Sequence, residues 1–197
     1  MMQTITIQPV SVQDAAALLA IYRPYVETTP ISFELAAPTV EEFAQRIRHT
    51  TARFPYLKAV RDGEILGYTY VSPFRTRAAY NWSVETSIYV KQGEHAHGIG
   101  RMLYTALEAV LQRQHIYNLY AGIAYPNPES EQFHEHMGYQ RVAHFKDCGY
   151  KLGAWRDMIF MERRLPRPIA PEPIVDISTL DLPAILAEAA EGDHYEA

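Results

Sequence analysis

His95-Ala96-His97-Gly98-Ile99-Gly100-Arg101 joins two segments of different period. Before it runs Ser83-Val84-Glu85-Thr86-Ser87-Ile88-Tyr89-Val90, whose alternation predicts a strand. After it, apolar residues fall at Ile99, Met102, Leu103, Ala106, Leu107, Val110 and Leu111, one face of a helix. The glycines therefore stand where a strand hands over to a helix. Glycine accepts positive φ and clears side chains from the turn, so backbone amides can converge there. The first helical turn adds unpaired N–H groups and a partial positive charge, which suit a phosphate. An anion cradle and a plain flexible loop both satisfy this spacing.

The rest of the chain sets bounds on the reading. Its 197 residues, 48% of them hydrophobic, are enough to bury one sizeable core. Fourteen tyrosines and 12% aromatic residues argue against disorder over most of the length. The net charge of −5 is uneven: residues 1–165 carry 17 Lys/Arg against 16 Asp/Glu, whereas residues 166–197 carry one Arg against seven acids. No basic concentration points to a nucleic-acid partner. A single cysteine, Cys148, excludes an internal disulfide framework and a multi-Cys metal site. There is no charged segment leading into an apolar core at the start, and no apolar run of membrane-spanning length. The expectation is a cytoplasmic protein with no membrane partner.

In order along the chain, residues 4–8 predict a short strand ended by Pro9. Ser11 with Asp14 has capping-box spacing, and Ala15, Leu18, Leu19 and Tyr22 form the buried stripe of a helix that Pro24 is expected to stop. Residues 25–38 read as irregular. Thr39 with Glu42 opens a second helix through Phe43 and Ile47. Strands at 56–61 and 64–72 flank Asp62-Gly63, a two-residue hairpin signal. A loop with Arg75, Arg77 and Tyr80 leads to the 83–90 strand. Beyond the long helix come a strand at 118–124, a helix opened by Asn127-Pro128 and closed by Gly138, and strands at 139–146 and 155–163. The layout is mixed α/β over residues 1–165. Residues 166–197, with Pro166, Pro168, Pro171 and Pro173, form an acidic tail with a candidate short helix, expected to pack weakly, reach a neighbour or be partly disordered.

This order, with its glycine turn between a central strand and a long helix, resembles the GNAT (Gcn5-related N-acetyltransferase) fold. That family's pyrophosphate signature is Arg/Gln-x-x-Gly-x-Gly/Ala, and residues 95–100 match it except at His95. Further motifs fall in one order and spacing: Tyr80-Asn81-Trp82-Ser83-Val84-Glu85, Ser87-Ile88-Tyr89-Val90, Pro126-Asn127, His134-Glu135 and Gly153-Ala154-Trp155-Arg156-Asp157. Together they resemble the phosphinothricin N-acetyltransferase group over residues 3–165. The resemblance implies a central, mostly antiparallel sheet split by the acetyl-CoA site and flanked by helices. It implies transfer of acetyl from acetyl-CoA to the primary amine of a small amino-acid-like acceptor, such as phosphinothricin, methionine sulfoximine or methionine sulfone. No metal is implied, and the assembly implied is a homodimer.

Such chemistry needs a base to deprotonate the ammonium, hydrogen-bond donors for the developing oxyanion, and a proton for the leaving thiolate. By motif position Glu85 is the base; read from composition alone it is a solvated strand residue or a partner of Arg75 or Arg77. His134 stands where many relatives in the superfamily have a tyrosine acid, and an imidazole can serve as acid or as second base. Its bland alternative is a helix-surface histidine. The resemblance assigns acetyl-CoA to the backbone of Ile88, Tyr89 and Val90, which would take the pantetheine like an added half-strand. It assigns the pyrophosphate to amides around His95, Ala96, His97, Gly98, Ile99, Gly100 and Arg101, and a polar pantetheine contact to Asn127, which competes with a helix N-cap role. The acceptor pocket is expected to use Phe33, Arg75, Arg77 and Tyr80, the arginines reading an acidic group through paired hydrogen bonds.

Rival readings draw on the same residues. The pairs His95/His97 and His134/His136 suggest a metal; a pair two apart in a loop could chelate, but His134 and His136, two apart in a helix, point to different sides. A Rossmann dinucleotide site would need Gly-x-Gly-x-x-Gly in the first βα unit, which is absent. An acetyltransferase for another small amine, or a non-catalytic acyl-CoA-binding sensor, would share most of the motifs.

Overall fold

Short-range chemistry builds the elements, and a computed structural model describes residues 5–94 and 98–193. Strand β1 (Thr6–Pro9) leads into a 3-10 turn at Val12–Asp14, where the Asp14 carboxylate accepts from the Ser11 N–H at 2.8 Å and the Ser11 hydroxyl at 3.0 Å. Helix α1 (Ala15–Glu27) then runs through Pro24 rather than stopping there. Proline removes one backbone donor, but burial of Tyr25 and Val26 holds the last turn, which closes with Thr28 N–H on the Pro24 carbonyl. Helix α2 (Val40–Thr51) starts in the expected capping box: Glu42 N–H donates to Thr39 Oγ1, and Thr39 N–H donates to Glu42 Oε2.

Strands β2 (Tyr56–Arg61) and β3 (Glu64–Pro73) meet at Asp62-Gly63, both at positive φ (53° and 81°), as a type I′ hairpin requires. Then come β4 (Ser83–Val90), α3 (Ile99–Arg113), β5 (Asn118–Tyr125), α4 (Pro128–His136), β6 (Gln140–Lys151) and β7 (Ala154–Arg164). Strand β6 is longer than the 139–146 expected, because irregular register between Phe145 and Gly149 lets it resume and pair to a tight turn at Leu152-Gly153.

The seven strands form one sheet in the order β1-β2-β3-β4-β5-β7-β6. Neighbours are antiparallel except β4 and β5, which pair in parallel. Helices α1 and α2 cover one face over Tyr56 and Tyr68, while α3 covers the other with Leu103, Leu107, Val110 and Leu111 fully buried. The segment after residue 165 differs from the weakly packed expectation. Helix α5 (Leu182–Asp193) lies on α3, and Ile177, Ile185 and Leu186 join the α3-side core. Its approach is tied by Trp82 Nε1 to the Glu172 carbonyl at 2.7 Å and by a backbone bond from Val175 to Gln114. The apolar residues of this acidic segment supply the reason: α3 leaves a second apolar stripe to cover. No helix among the described residues is long and apolar enough to cross a membrane.

Candidate active site

The parallel pair β4–β5 is short. It runs from Ser83 opposite Asn118 to Thr86 opposite Ala121, and beyond that β4 pairs with β3 and β5 with β7 but not with each other. A gap therefore opens in the sheet, lined by Thr86, Ser87, Ile88, Gly122, Asn127 and His134, with Ile31 beside them.

Strand geometry decides which backbone groups face this gap. Lys91 N–H bonds to the Leu66 carbonyl and Phe74 N–H to the Ser83 carbonyl, so odd-numbered residues of β4 turn their backbone groups toward β3. Asn118 N–H bonds to the Trp82 carbonyl on the other side. By alternation, Ile88 and Val90 present N–H and C=O groups to the gap, whereas Tyr89 spends its own on β3. The Val90 carbonyl also accepts from the Tyr25 hydroxyl. Two of the three residues expected to bind a half-strand thus turn backbone groups to the gap that no neighbouring strand pairs, the Val90 carbonyl being taken by Tyr25, while Tyr89 contributes its side chain, packed against Tyr22 and Tyr25.

At the start of α3, Gly98 is the N-cap, with φ 69° and no side-chain cap. The first-turn amides of Gly98, Ile99, Gly100 and Arg101 therefore head the helix on the side of the glycine turn. His95, Ala96 and His97 lie outside the described residues. Gly100 serves a packing role as well: a Cβ there would meet Phe133 of α4 at 2.9 Å. Asn127 caps α4, its Oδ1 accepting from Ser130 N–H at 3.3 Å, and it also lines the gap. A strand edge left unpaired by its neighbour strand, followed along the chain by a glycine-capped helix start, fits an extended, amide-bearing ligand ending in a diphosphate.

The two candidate catalytic side chains lie on opposite faces of the sheet. Val84, Thr86 and Val90 point toward α3, so Glu85, Ser87 and Tyr89 point toward α1. The half-buried Glu85 carboxylate lies against Gly122, where a Cβ would stand 3.1 Å from Oε1, with Phe160 and Met158 alongside. Burial raises its pKa above the ordinary glutamate value and nearby Arg75 opposes the rise. Arg75 is itself steadied by the Phe74 ring, 4.2 Å from its guanidinium carbon, and by the Phe74 carbonyl at 2.6 Å. Tyr80 meets Phe74 edge-on at 6.0 Å. Arg77 is exposed at the start of the 3-10 turn Ala78–Tyr80. Phe33 lies farther round the same face, against Gly149 of β6, so closely that a Cβ there would come within 2.5 Å of its ring.

On the α3 face His134 is buried, with Nδ1 2.7 Å from the Ser130 carbonyl and Nε2 3.0 Å from the Tyr104 hydroxyl. A carbonyl can only accept, so Nδ1 carries the proton and neutral Nε2 is an acceptor. Burial pulls the His134 pKa down to about 4. The Tyr104 hydroxyl is also 3.0 Å from Thr86 Oγ1, linking His134 to the last paired position of β4. The sequence reading missed Tyr104 and Thr86, whose only signal was a hydroxyl set among apolar neighbours at helix or strand spacing. Among the described residues no three His, Cys, Asp or Glu side chains gather as a metal set.

A sheet that parts beside a glycine-headed helix defines the GNAT architecture. Residues 7–160 match the family described as Acetyltransferase (GNAT) domain, and the chain belongs to it, an N-acetyltransferase that uses acetyl-CoA as co-substrate. It is 31% identical over 176 residues to phosphinothricin N-acetyltransferase of Streptomyces viridochromogenes, covering 89% of this chain and 96% of that one. It is 28% identical to the L-methionine sulfoximine/L-methionine sulfone acetyltransferase of Salmonella typhimurium, covering 81% and 94%. Among solved structures, a GNAT superfamily phosphinothricin acetyltransferase from Sinorhizobium meliloti, in complex with acetyl-CoA, superposes with TM-score 0.81 at 31% identity, covering 86% and 93%.

Proposed function

We propose that this enzyme acetylates the primary amine of a small amino-acid-like acceptor of the phosphinothricin, methionine sulfoximine or methionine sulfone kind. The position of the Glu85 carboxylate carries the reading: half-buried beside Gly122, on the face away from α3, where β4 and β5 part. From there Glu85 takes a proton from the incoming ammonium, directly or through one water, leaving the amine lone pair free to attack. Its raised pKa makes it a stronger base than an exposed glutamate. Arg75, close enough to act on Glu85, holds an acidic group of the acceptor, with Arg77, Tyr80 and Phe33 completing that side. The names of the two relatives support the acceptor class.

Acetyl-CoA, when bound, supplies the acetyl group. The Ile88 and Val90 backbone holds its extended arm at the gap, and the amides of Gly98, Ile99, Gly100 and Arg101, with residues 95–97, receive its diphosphate. Asn127 adds a polar contact. Neutral His134 holds no proton on Nε2, which favours a second base acting through the Tyr104 hydroxyl over an acid. The protein is read as cytoplasmic, a reading that its lone, exposed Cys148 supports. It is also read as homodimeric, supported by Val142, Phe145, Tyr150, Leu152 and Trp155, all exposed on β6, β7 and their turn. A thiol-release assay with acetyl-CoA against the three acceptors and a set of unrelated amines tests the function. Turnover of the first group, lost in Glu85→Gln, is the expected result. Activity confined to unrelated amines would discard the acceptor class.

A further inference from the structure

Lys151 is the only buried lysine or arginine among the described residues, and it makes no ion pair with a described carboxylate. Its Nζ donates to the carbonyl of Ser32, 2.5 Å away and 119 residues earlier in the sequence. A buried ammonium hydrogen-bonded to one carbonyl, with the Glu34 carboxylate favouring its charge from farther off, is an expensive way to fill space. A methionine of similar length would fill the same volume without desolvating a charge. The contact it makes explains its presence.

Ser32 belongs to the connection between α1 and α2, and that connection is pinned residue by residue. The Ser32 hydroxyl lies 2.7 Å from the Tyr22 hydroxyl, which donates to Glu34 at 3.0 Å. Glu34 receives both prongs of Arg46, at 2.5 and 3.1 Å. Phe33 between them presses on Gly149. Ile31, just before, lines the gap beside Ser87 and Gly122. Tyr22 and Arg46 tie the connection to its own helices, whereas Lys151 and Gly149 tie it across the molecule to β6.

We infer that Lys151 is a positioning residue for acceptor binding, holding the 31–34 strip across the Glu85 face so that Ile31 and Phe33 wall the acceptor's approach. The inference rests on the reading of that face as the acceptor side. Lys151 itself touches none of the groups assigned to acetyl-CoA, although Ile31 lines the gap together with Ile88.

Lys151→Met separates this role from a structural one. The acceptor KM is expected to rise about tenfold, the loss of one hydrogen bond to a charged group, with the acetyl-CoA KM within about twofold and thermal stability equal or higher. Lys151→Arg, which keeps a donor, should recover most of the acceptor KM. Gly149→Ala, which pushes Phe33 without touching Lys151, should raise the same constant. An unchanged acceptor KM in Lys151→Met, or a rise that tracks lost stability, overturns the inference. Hydrogen exchange reads the clamp without any acceptor: amides 31–34 of Lys151→Met should exchange faster while those of α3 do not. If no amine is turned over, the functional reading fails, and that exchange result still decides for or against the clamp.

Discussion

Gly122 stands so close to Glu85 that a methyl group on it would lie 3.1 Å from Oε1, with Phe160 3.4 Å away on the other side. The missing side chain makes the recess that the carboxylate occupies. Gly122→Ala is therefore expected to displace Glu85 and lower kcat/KM for the acceptor by at least about tenfold, since small misplacements of a reacting group are costly. The acetyl-CoA KM should stay within about twofold. Steady-state kinetics in both substrates checks the separation.

The base role proposed for Glu85 predicts an acid limb. Burial lifts its pKa and Arg75 partly restores it, so the free enzyme should lose kcat/KM as the pH falls through a value above the ordinary glutamate range. Arg75→Gln removes the opposing cation and should move that limb to higher pH. A limb that does not move would separate Arg75 from Glu85.

His134 links acidity to stability. It titrates near 6.5 when unfolded and about 4 when folded, so between those values the unfolded chain binds more protons and folding weakens as the pH drops. Stability is undiminished by this group above about pH 6.5, and the loss reaches about 3 kcal/mol by the time pH 4 is passed. His134→Gln should flatten the dependence of Tm on pH across that window. An unchanged slope would assign acid unfolding to other groups.

The segment after residue 165 is a structural part of the domain. Leu186→Ala, at a buried position against α3, should cost about 2–4 kcal/mol and lower Tm, with acceptor KM unaffected. Denaturant unfolding with an unchanged m-value would isolate the stability loss.

The features legible in the sequence were the local ones. Asp62-Gly63 and Thr39 with Glu42 carry their geometry within four residues, and both formed as read. Pro24 misled because its local cost was outweighed by the burial of Tyr25 and Val26, a tertiary effect. Gly100 was read as part of a cradle, and its distance to Phe133 depends on where α4 docks. The opposite faces of Glu85 and His134, the hydroxyls of Tyr104 and Thr86, and the reach of Lys151 to Ser32 all depend on non-local register. Spacing along one chain cannot supply that register.

The gap between β4 and β5 also bears on selectivity among acyl carriers. Sheets ordinarily hide their unsatisfied amides at the rim; here an edge lies in the interior, at Ile88 and Val90. In the proposed binding mode that edge reads main-chain-like spacing rather than any side chain. On that proposal a carrier is admitted by the peptide-like rhythm of its own amide bonds, and a bare thioester lacking them has nothing with which to complete the sheet.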